Sequence, residues 1–306
     1  MTWLAWRQAR AQALVAVVAT AVVAAVLVAT RSHIAATPED ELSTLYKQLQ
    51  LLGTALIGVP AAIGAFWGAP LLARELELGT HRLAWTQGVT RRRWLGTRLV
   101  VLALLAIVVT AVFATLFTWW SLPFDAHGNR IGTANFGQRG IAPVAYALFA
   151  LALGAFVGTV VRRTLPAMAI TAVAFFVARY TFQLAVRPRL AGTVELTRGL
   201  PMFGPAADDP ASAGAWVVSS KTVDGNGNVI PSGAADRILA EACDLTRTSS
   251  EAAYHQCADR LGLHDVVTAH PADQFWPMQM WESLAFCALG VALVAACFWW
   301  VQHRTS

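Results

Sequence analysis

The sequence predicts an all-α polytopic membrane protein with six transmembrane helices and a mixed extracytoplasmic domain between helices 5 and 6. Three observations predict it. Of 306 residues, 56% are hydrophobic and only 13% charged, with a mean hydropathy of +0.51, whereas soluble domains carry about a quarter charged residues. Several windows of 18 or more residues hold almost no charge, the signature of spanning helices. Between the fifth and sixth of these runs lies an acidic, turn-rich stretch of about ninety residues with a different composition.

The elements follow in order. Residues 1–10, MTWLAWRQAR, place Trp3 and Trp6 beside Arg7 and Arg10, a pairing suited to the cytoplasmic headgroup level. The uncharged run 11–29 is nineteen residues long. A cleaved signal peptide has an apolar core of about 7–15 residues, so an anchoring helix fits better. A polar loop, 31–50, carries Glu39, Asp40 and Glu41, and a second span covers about 51–72. Its Gly64 and Gly68 have the GxxxG spacing that lets helices approach closely; ordinary glycine content of a membrane helix is the alternative. The polar segment 73–98 leads to a third span at 99–120. A loop with the turn composition DAHGN at 125–129 precedes a fourth span, 141–161, with a second GxxxG pair, Gly154 and Gly158. Arg162, Arg163 and Thr164 make a short turn into the fifth span, 165–186. Residues 1–186 thus form the first five helices, 187–278 the extracytoplasmic domain, and 279–306 the last helix and a short tail. Within the domain, DGNGNV at 224–229 reads as a hairpin turn and 233–262 as one or two helices.

Charge fixes the sides. With both termini inside, the cytoplasm receives Arg7, Arg10, Arg74, Arg82, Arg91, Arg92, Arg93, Arg98, Arg162, Arg163 and Arg304. The short outer loops hold only Arg31, Lys47, Arg130 and Arg139, and short loops are what the positive-inside rule counts. Both termini are therefore predicted in the cytoplasm of a bacterial multi-pass protein. Cys243 and Cys257 fall on the oxidising side, where a disulfide can form. The alternative, a metal site with His255, His264 and His270, lacks compact ligand spacing, so no metal is predicted. Cys287 and Cys297 fall in the last span and read as packing residues.

The net charge of +5 does not point to nucleic acid, because the basic residues concentrate in the cytoplasmic loops and only Lys47 and Lys221 are lysines. Neither lysine follows a glycine, so no phosphate-binding GxxxxGK loop exists. No nucleophile motif such as GxSxG accompanies the outer histidines. The chain reads as a non-enzyme without a cofactor of its own.

The segment 73–98 poses an electrostatic problem. Glu75 and Glu77 lie near the carboxyl end of one helix, and Arg91, Arg92 and Arg93 occupy the first turn of the next, behind a Thr90 N-cap. Each charge opposes its own helix dipole at about 0.3–1 kcal/mol. Retention of the loop in the cytoplasm explains the arginines. It does not explain the glutamates, or the amphipathic piece 80–87 with Leu83 and Trp85 between the breaks at Gly79 and Gly88. The arrangement makes sense if the acidic tail meets the basic start, a partner or lipid phosphates.

The run ELELGTHRLAWTQGVTRRRW at 75–94, between spans two and three, resembles the permeases of ABC-2 type ABC transporters, most of all actinobacterial members. The resemblance covers the six-span architecture and is strongest at 66–98. It implies a permease that pairs with a second copy or a related permease. A separate cytoplasmic ABC ATPase would bind the loop between spans two and three as a coupling helix, with ATP and Mg2+ held in that partner. By position, Glu75, Glu77, Gly79, Thr80, Leu83 and Trp85 fall on the coupling element, and Arg91, Arg92 and Arg93 return to the membrane. The amino-terminal helix is shorter, and the outer domain larger, than in the simplest members.

The implied function is export of an amphipathic substrate (antibiotic, peptide or lipid) by alternating access. Substrate-path candidates are polar and aromatic groups within spans: Phe113, Phe117, Arg179 and Gln183. An intramembrane arginine is a functional-site hypothesis by default; snorkelling to the outer headgroups is the alternative for Arg179. A reading from another class is a non-transporting membrane sensor or assembly factor whose extracytoplasmic domain binds a ligand.

Overall fold

The computed structural model describes residues 2–36, 54, 56–78, 90–122, 131, 136–200, 215–231, 233–243 and 251–303. The chain divides into two compact units. The first comprises Met1–Leu122, Thr133–Arg187 and Met278–Ser306; the second comprises Pro123–Gly132 and Pro188–Pro277.

The first unit is a helical bundle: α1 (Thr2–Ala36), α2 (Gly58–Ile63), α3 (Ala69–Glu77), α4 (Arg91–Ser121), α5 (Ala142–Val161), α6 (Thr164–Thr181) and α7, the segment of the Phe275–His303 helix that lies in this unit. Among the described residues, five helices are long and apolar enough to cross a membrane: Leu14–Ser32, Arg92–Ser121, Ala142–Val161, Thr164–Arg189 and Ala272–His303. The second expected span, 51–72, is not among them; from Gly58 it is helical in three consecutive pieces, because a π-helical turn, Gly64–Gly68, separates α2 from α3. The ends also differ from expectation. α1 continues to Ala36, past the start of the expected loop, and α4 begins eight residues before the expected third span.

α5 is the centre of the bundle. Its span is 61% buried, against 11% for the α1 span and 17% for the α6 span. Small residues make this possible. The two GxxxG pairs meet face to face: a Cβ on Gly154 would lie 2.2 Å from the Gly64 carbonyl oxygen, and one on Gly158 would lie 2.4 Å from that of Ala69. Such backbone contact lets van der Waals packing hold helices where no hydrophobic drive exists. Around it, Tyr146, Phe149, Phe175 and Phe286 form an aromatic core joining α5, α6 and α7. Leu72, Trp94, Leu95 and Val301 form another at the opposite end. α1 packs along α4, where Trp120 donates from Nε1 to the Thr30 hydroxyl at 2.9 Å.

The second unit has its own core. Its described residues form a sheet of order β1-β4-β2-β3 from β1 (Val194–Gly199), β2 (Trp216–Val223), β3 (Val229–Ile230) and β4 (His264–His270), every pair antiparallel. The β2–β3 turn is built by Asp224, whose Oδ1 accepts from the backbone N–H groups of Asn226 (2.9 Å) and Asn228 (2.8 Å), with Gly227 at φ +83°. Two helices, Ala234–Cys243 and Glu251–Arg260, share Leu239, Tyr254, Ala258 and Leu263 as a core. A Cys243–Cys257 disulfide joins them, with the Cα atoms 6.5 Å apart.

Candidate functional site

The two ends of the polar segment 73–98 are anchored in the bundle. Glu75 pairs with Arg98 of α4, whose guanidinium also lies 4.5 Å from the centre of the Trp94 ring. Glu77 accepts two hydrogen bonds from Thr164, one from its backbone N–H (2.9 Å) and one from its hydroxyl (2.6 Å). Those bonds hold the Glu77 carboxyl below the usual carboxylate range, helped by the charge of Arg163 and opposed by partial desolvation. The acid that opposes the dipole of its own helix thus sits at the N-terminus of α6, where an anion is favoured and an orphan N–H needs an acceptor.

On the return side, Thr90 caps α4 by accepting from the Arg93 N–H. Arg92 donates to Gln302 of α7 at 2.7 Å, and Arg93 is exposed. Gly79, Thr80, Leu83, Trp85 and the Arg91 side chain lie outside the described residues. The segment's flanks therefore touch α4, α6 and α7. Sequence reading had left open whether the glutamates meet the neighbouring arginines; Glu75 does, and Glu77 meets Thr164.

The proposed path residues fall into two separate pairs. Phe113 and Phe117 stack on α4, with ring centres 6.1 Å apart. Phe113 also lines an apolar cleft of about 230 Å3, together with Val15 and Val23 of α1, Ala62 of α2, and Phe66 and Trp67 of the π-helical turn. Arg179 and Gln183 belong to α6 and its continuation, on the other side of α5, which packs against both α4 and α6. Arg179 does not snorkel. It is 2% exposed, and its guanidinium lies 4.0 Å from the centre of the Tyr146 ring.

Around Arg179 the structure assembles a cluster that sequence reading missed. Arg187 grips Glu282 with a two-pronged contact, Nε to Oε2 at 2.8 Å and Nη2 to Oε1 at 2.9 Å, and both side chains are fully buried. Tyr146 donates its hydroxyl to the same carboxylate. Arg187 lies 4.4 Å from the Phe136 ring centre. Gln279 accepts from the Ala142 N–H (2.9 Å) and donates to the Phe136 carbonyl (2.7 Å). Arg139 donates to the Ser121 carbonyl at 2.9 Å. One signal was available: Glu282 is the only charged residue in the run 280–301, and a lone intramembrane carboxylate marks a site or a buried partner.

In the second unit, Asp265 on β4 is buried, accepting from Thr222 (2.8 Å) and from Arg198 (3.4 Å). His264 and His270 bond backbone carbonyls through Nδ1, those of Gly262 (3.0 Å) and Gly192 (3.2 Å). No group of three potential metal ligands occurs among the described residues.

Membrane-length helices around a small-residue core, carrying buried charge, define a multi-pass integral membrane protein. The chain belongs to the ABC-2 membrane transporter related family, which matches residues 1–187. No curated protein and no solved structure matches the chain. It is thus a permease, the membrane component of ABC transport, in a family that is generally not catalytic itself and that works with a cytoplasmic ABC ATPase. The match ends at Arg187, where the first helical block gives way to the second unit.

Proposed function

We propose that this chain is the permease subunit of an ABC exporter that moves an amphipathic substrate (antibiotic, peptide or lipid) across a bacterial cytoplasmic membrane. Transport proceeds by alternating access. A separate ATPase subunit, holding ATP and Mg2+, docks on the segment 73–98 and supplies the stroke. Residues 51–72 are the second span of a six-span topology, both termini are cytoplasmic, and a second permease copy completes the pathway. The lightly buried α1 and α6 spans leave apolar faces for that copy and for lipid.

One observation carries the reading: the coupling segment is tied at its flanks to three helices, through Glu75–Arg98, Glu77–Thr164 and Arg92–Gln302. A loop that served only to hold topology would gain nothing from these anchors. The test is reconstitution with the cognate ATPase in inverted vesicles. ATP should drive substrate accumulation, and deletion of 80–88 should abolish both transport and co-purification of the ATPase. Failure of the intact chain to recruit any ATPase would refute the reading. The sensor alternative draws on the separate, disulfide-bonded second unit beyond the family match. It prevails if ATP and partner move nothing while the chain binds a ligand through residues 188–277.

A further inference from the structure

Among the described buried residues of the helical bundle, the charged ones are Arg139, Arg179, Arg187 and Glu282. The one carboxylate among them, that of Glu282, is engaged by the fork of Arg187 and the hydroxyl of Tyr146. Arg179 is left with a ring face as its main partner. Its Nη1 is buried without a hydrogen-bond partner, and so is Nη1 of Arg187. A buried cation persists only if something compensates it. A ring quadrupole supplies part of that compensation but accepts no in-plane N–H.

The guanidinium of Arg179 is also held at close quarters. A Cβ on Gly137 would lie 1.9 Å from its Nη2, so the Phe136–Gly140 turn covers it only because residue 137 lacks a side chain. The cover is a turn, and no helix must be unwound to expose the arginine.

We infer that Arg179, with the free Nη1 of Arg187 beside Tyr146, is a binding site for a phosphate group, borne either by a lipid headgroup or by a soluble phosphate. Guanidinium N–H donors fit phosphate oxygens in number and geometry, and one such anion supplies the counter-charge for Arg179. Tyr146 connects the parts: its ring carries Arg179, and its hydroxyl fixes the Glu282 that orients Arg187. The inference names the chemistry of a path residue but does not rest on the export reading, because binding is measured without ATP or partner. Binding without transport would leave the site standing and defeat only that reading.

The test uses the full chain purified in neutral detergent. Two probes are added separately: phosphatidylglycerol, compared with phosphatidylcholine, and inorganic phosphate. The readout is the midpoint of thermal unfolding, titrated to give an apparent affinity. A response to phosphatidylglycerol alone assigns a lipid headgroup, and an equal response to inorganic phosphate assigns a soluble ligand. Arg179→Gln should weaken the response at least about tenfold, the equivalent of one charge-assisted hydrogen bond. Arg179→Lys should retain part of it, and the surface substitution Arg237→Gln all of it. Arg179→Met guards against misfolding. Without phosphate it should unfold no lower than the wild type, because it removes an uncompensated charge. The proposal is overturned if neither probe shifts the wild type, if Arg179→Gln responds like the wild type, or if Arg179→Met unfolds well below the wild type without phosphate. The last result would mean that the Tyr146 ring already satisfies Arg179.

Discussion

Gly154→Ala should destabilise the bundle, although alanine is the better helix former. The added Cβ would stand 2.2 Å from the Gly64 oxygen, 2.7 Å from the Ala69 nitrogen and 3.0 Å from the Gly68 carbonyl carbon, all backbone atoms that cannot rotate away. Carbon–oxygen contacts settle near about 3.3 Å, so α5 and the Gly64–Gly68 turn must separate by roughly 1 Å. Overpacking of this kind costs about 1–3 kcal/mol, against a helix-propensity gain of about 1 kcal/mol. The net is a loss of about 0–2 kcal/mol, larger for Gly154→Val. Gly96→Ala is the matched control: in the α4 interior its Cβ would meet only the Phe298 ring edge at 3.7 Å, so the propensity gain should show as neutral or slightly stabilising. Unfolding of both variants by sodium dodecyl sulfate in mixed micelles, followed by circular dichroism, measures the difference. If the two substitutions shift stability in the same direction by the same amount, the glycine contact does not hold the bundle together and the reasoning fails.

Three further outcomes are expected. Arg187→Ala or Glu282→Ala alone should cost about 3–5 kcal/mol by stranding a buried charge, while the double variant Arg187→Met with Glu282→Leu should cost far less than the sum; the same unfolding assay in a double-mutant cycle reads it. Reducing Cys243–Cys257, fourteen residues apart, should destabilise the second unit by about 3 kcal/mol through the freed loop, seen as a lower urea midpoint with dithiothreitol. The stability of that unit should also vary with pH at both extremes. Burial, with help from Asp236, pushes the Tyr254 hydroxyl up to about 12 from its ordinary 10.0. The protonated form is therefore the one favoured by folding, and the stabilisation is complete below pH 10.0 and lost as pH rises toward 12. Asp224 lies on the opposite side of the balance: backbone and side-chain hydrogen bonds from Asn228 hold its carboxyl below its ordinary 3.8, so its contribution is present above that pH and lost as pH falls through the depressed value. Tyr254→Phe should remove the alkaline loss alone.

What the sequence made legible was local. Apolar runs marked the long helices because a spanning segment must satisfy its own backbone and carry its own apolar surface. Thr90 was readable as a cap because capping is decided within three residues. The glycine pairs were readable as a spacing, but their pairing with each other was not, since Gly64 and Gly154 are brought together only by the fold. The same limit hid the charged cluster. Arg187 and Glu282 are 95 residues apart, and Tyr146 and Glu282 are 136 apart. Each looked like an isolated polar group at the end of a span. The misplaced charges of the segment 73–98 were an intermediate case. Their cost against their own helices was calculable from sequence, which required compensating partners without naming them. Thr164, the partner of Glu77, lies beyond two further helices.

The distribution of strong and weak contacts bears on how a displacement of the segment 73–98 would act. At its own end Arg92–Gln302 and Glu77–Thr164 are exposed, while Glu75–Arg98 is largely buried, with 14% of the Arg98 and 20% of the Glu75 side chain accessible. Exposed contacts such as the first two are worth about 0–1 kcal/mol each. At the far end α6 and α7 are clamped by the fully buried Arg187–Glu282 pair, whose rupture costs about 3–5 kcal/mol. Force applied at the segment will therefore break the near ties before it shears α6 against α7 at the far end. The two helices should move as one lever. The apolar cleft lies farther along the bundle, bounded by α1, by Val109 and Phe113 of α4, and by the π-helical turn. Linking Arg92→Cys to Gln302→Cys with a bifunctional thiol cross-linker should abolish transport in inverted vesicles while leaving the far-end cluster, and any anion bound there, undisturbed.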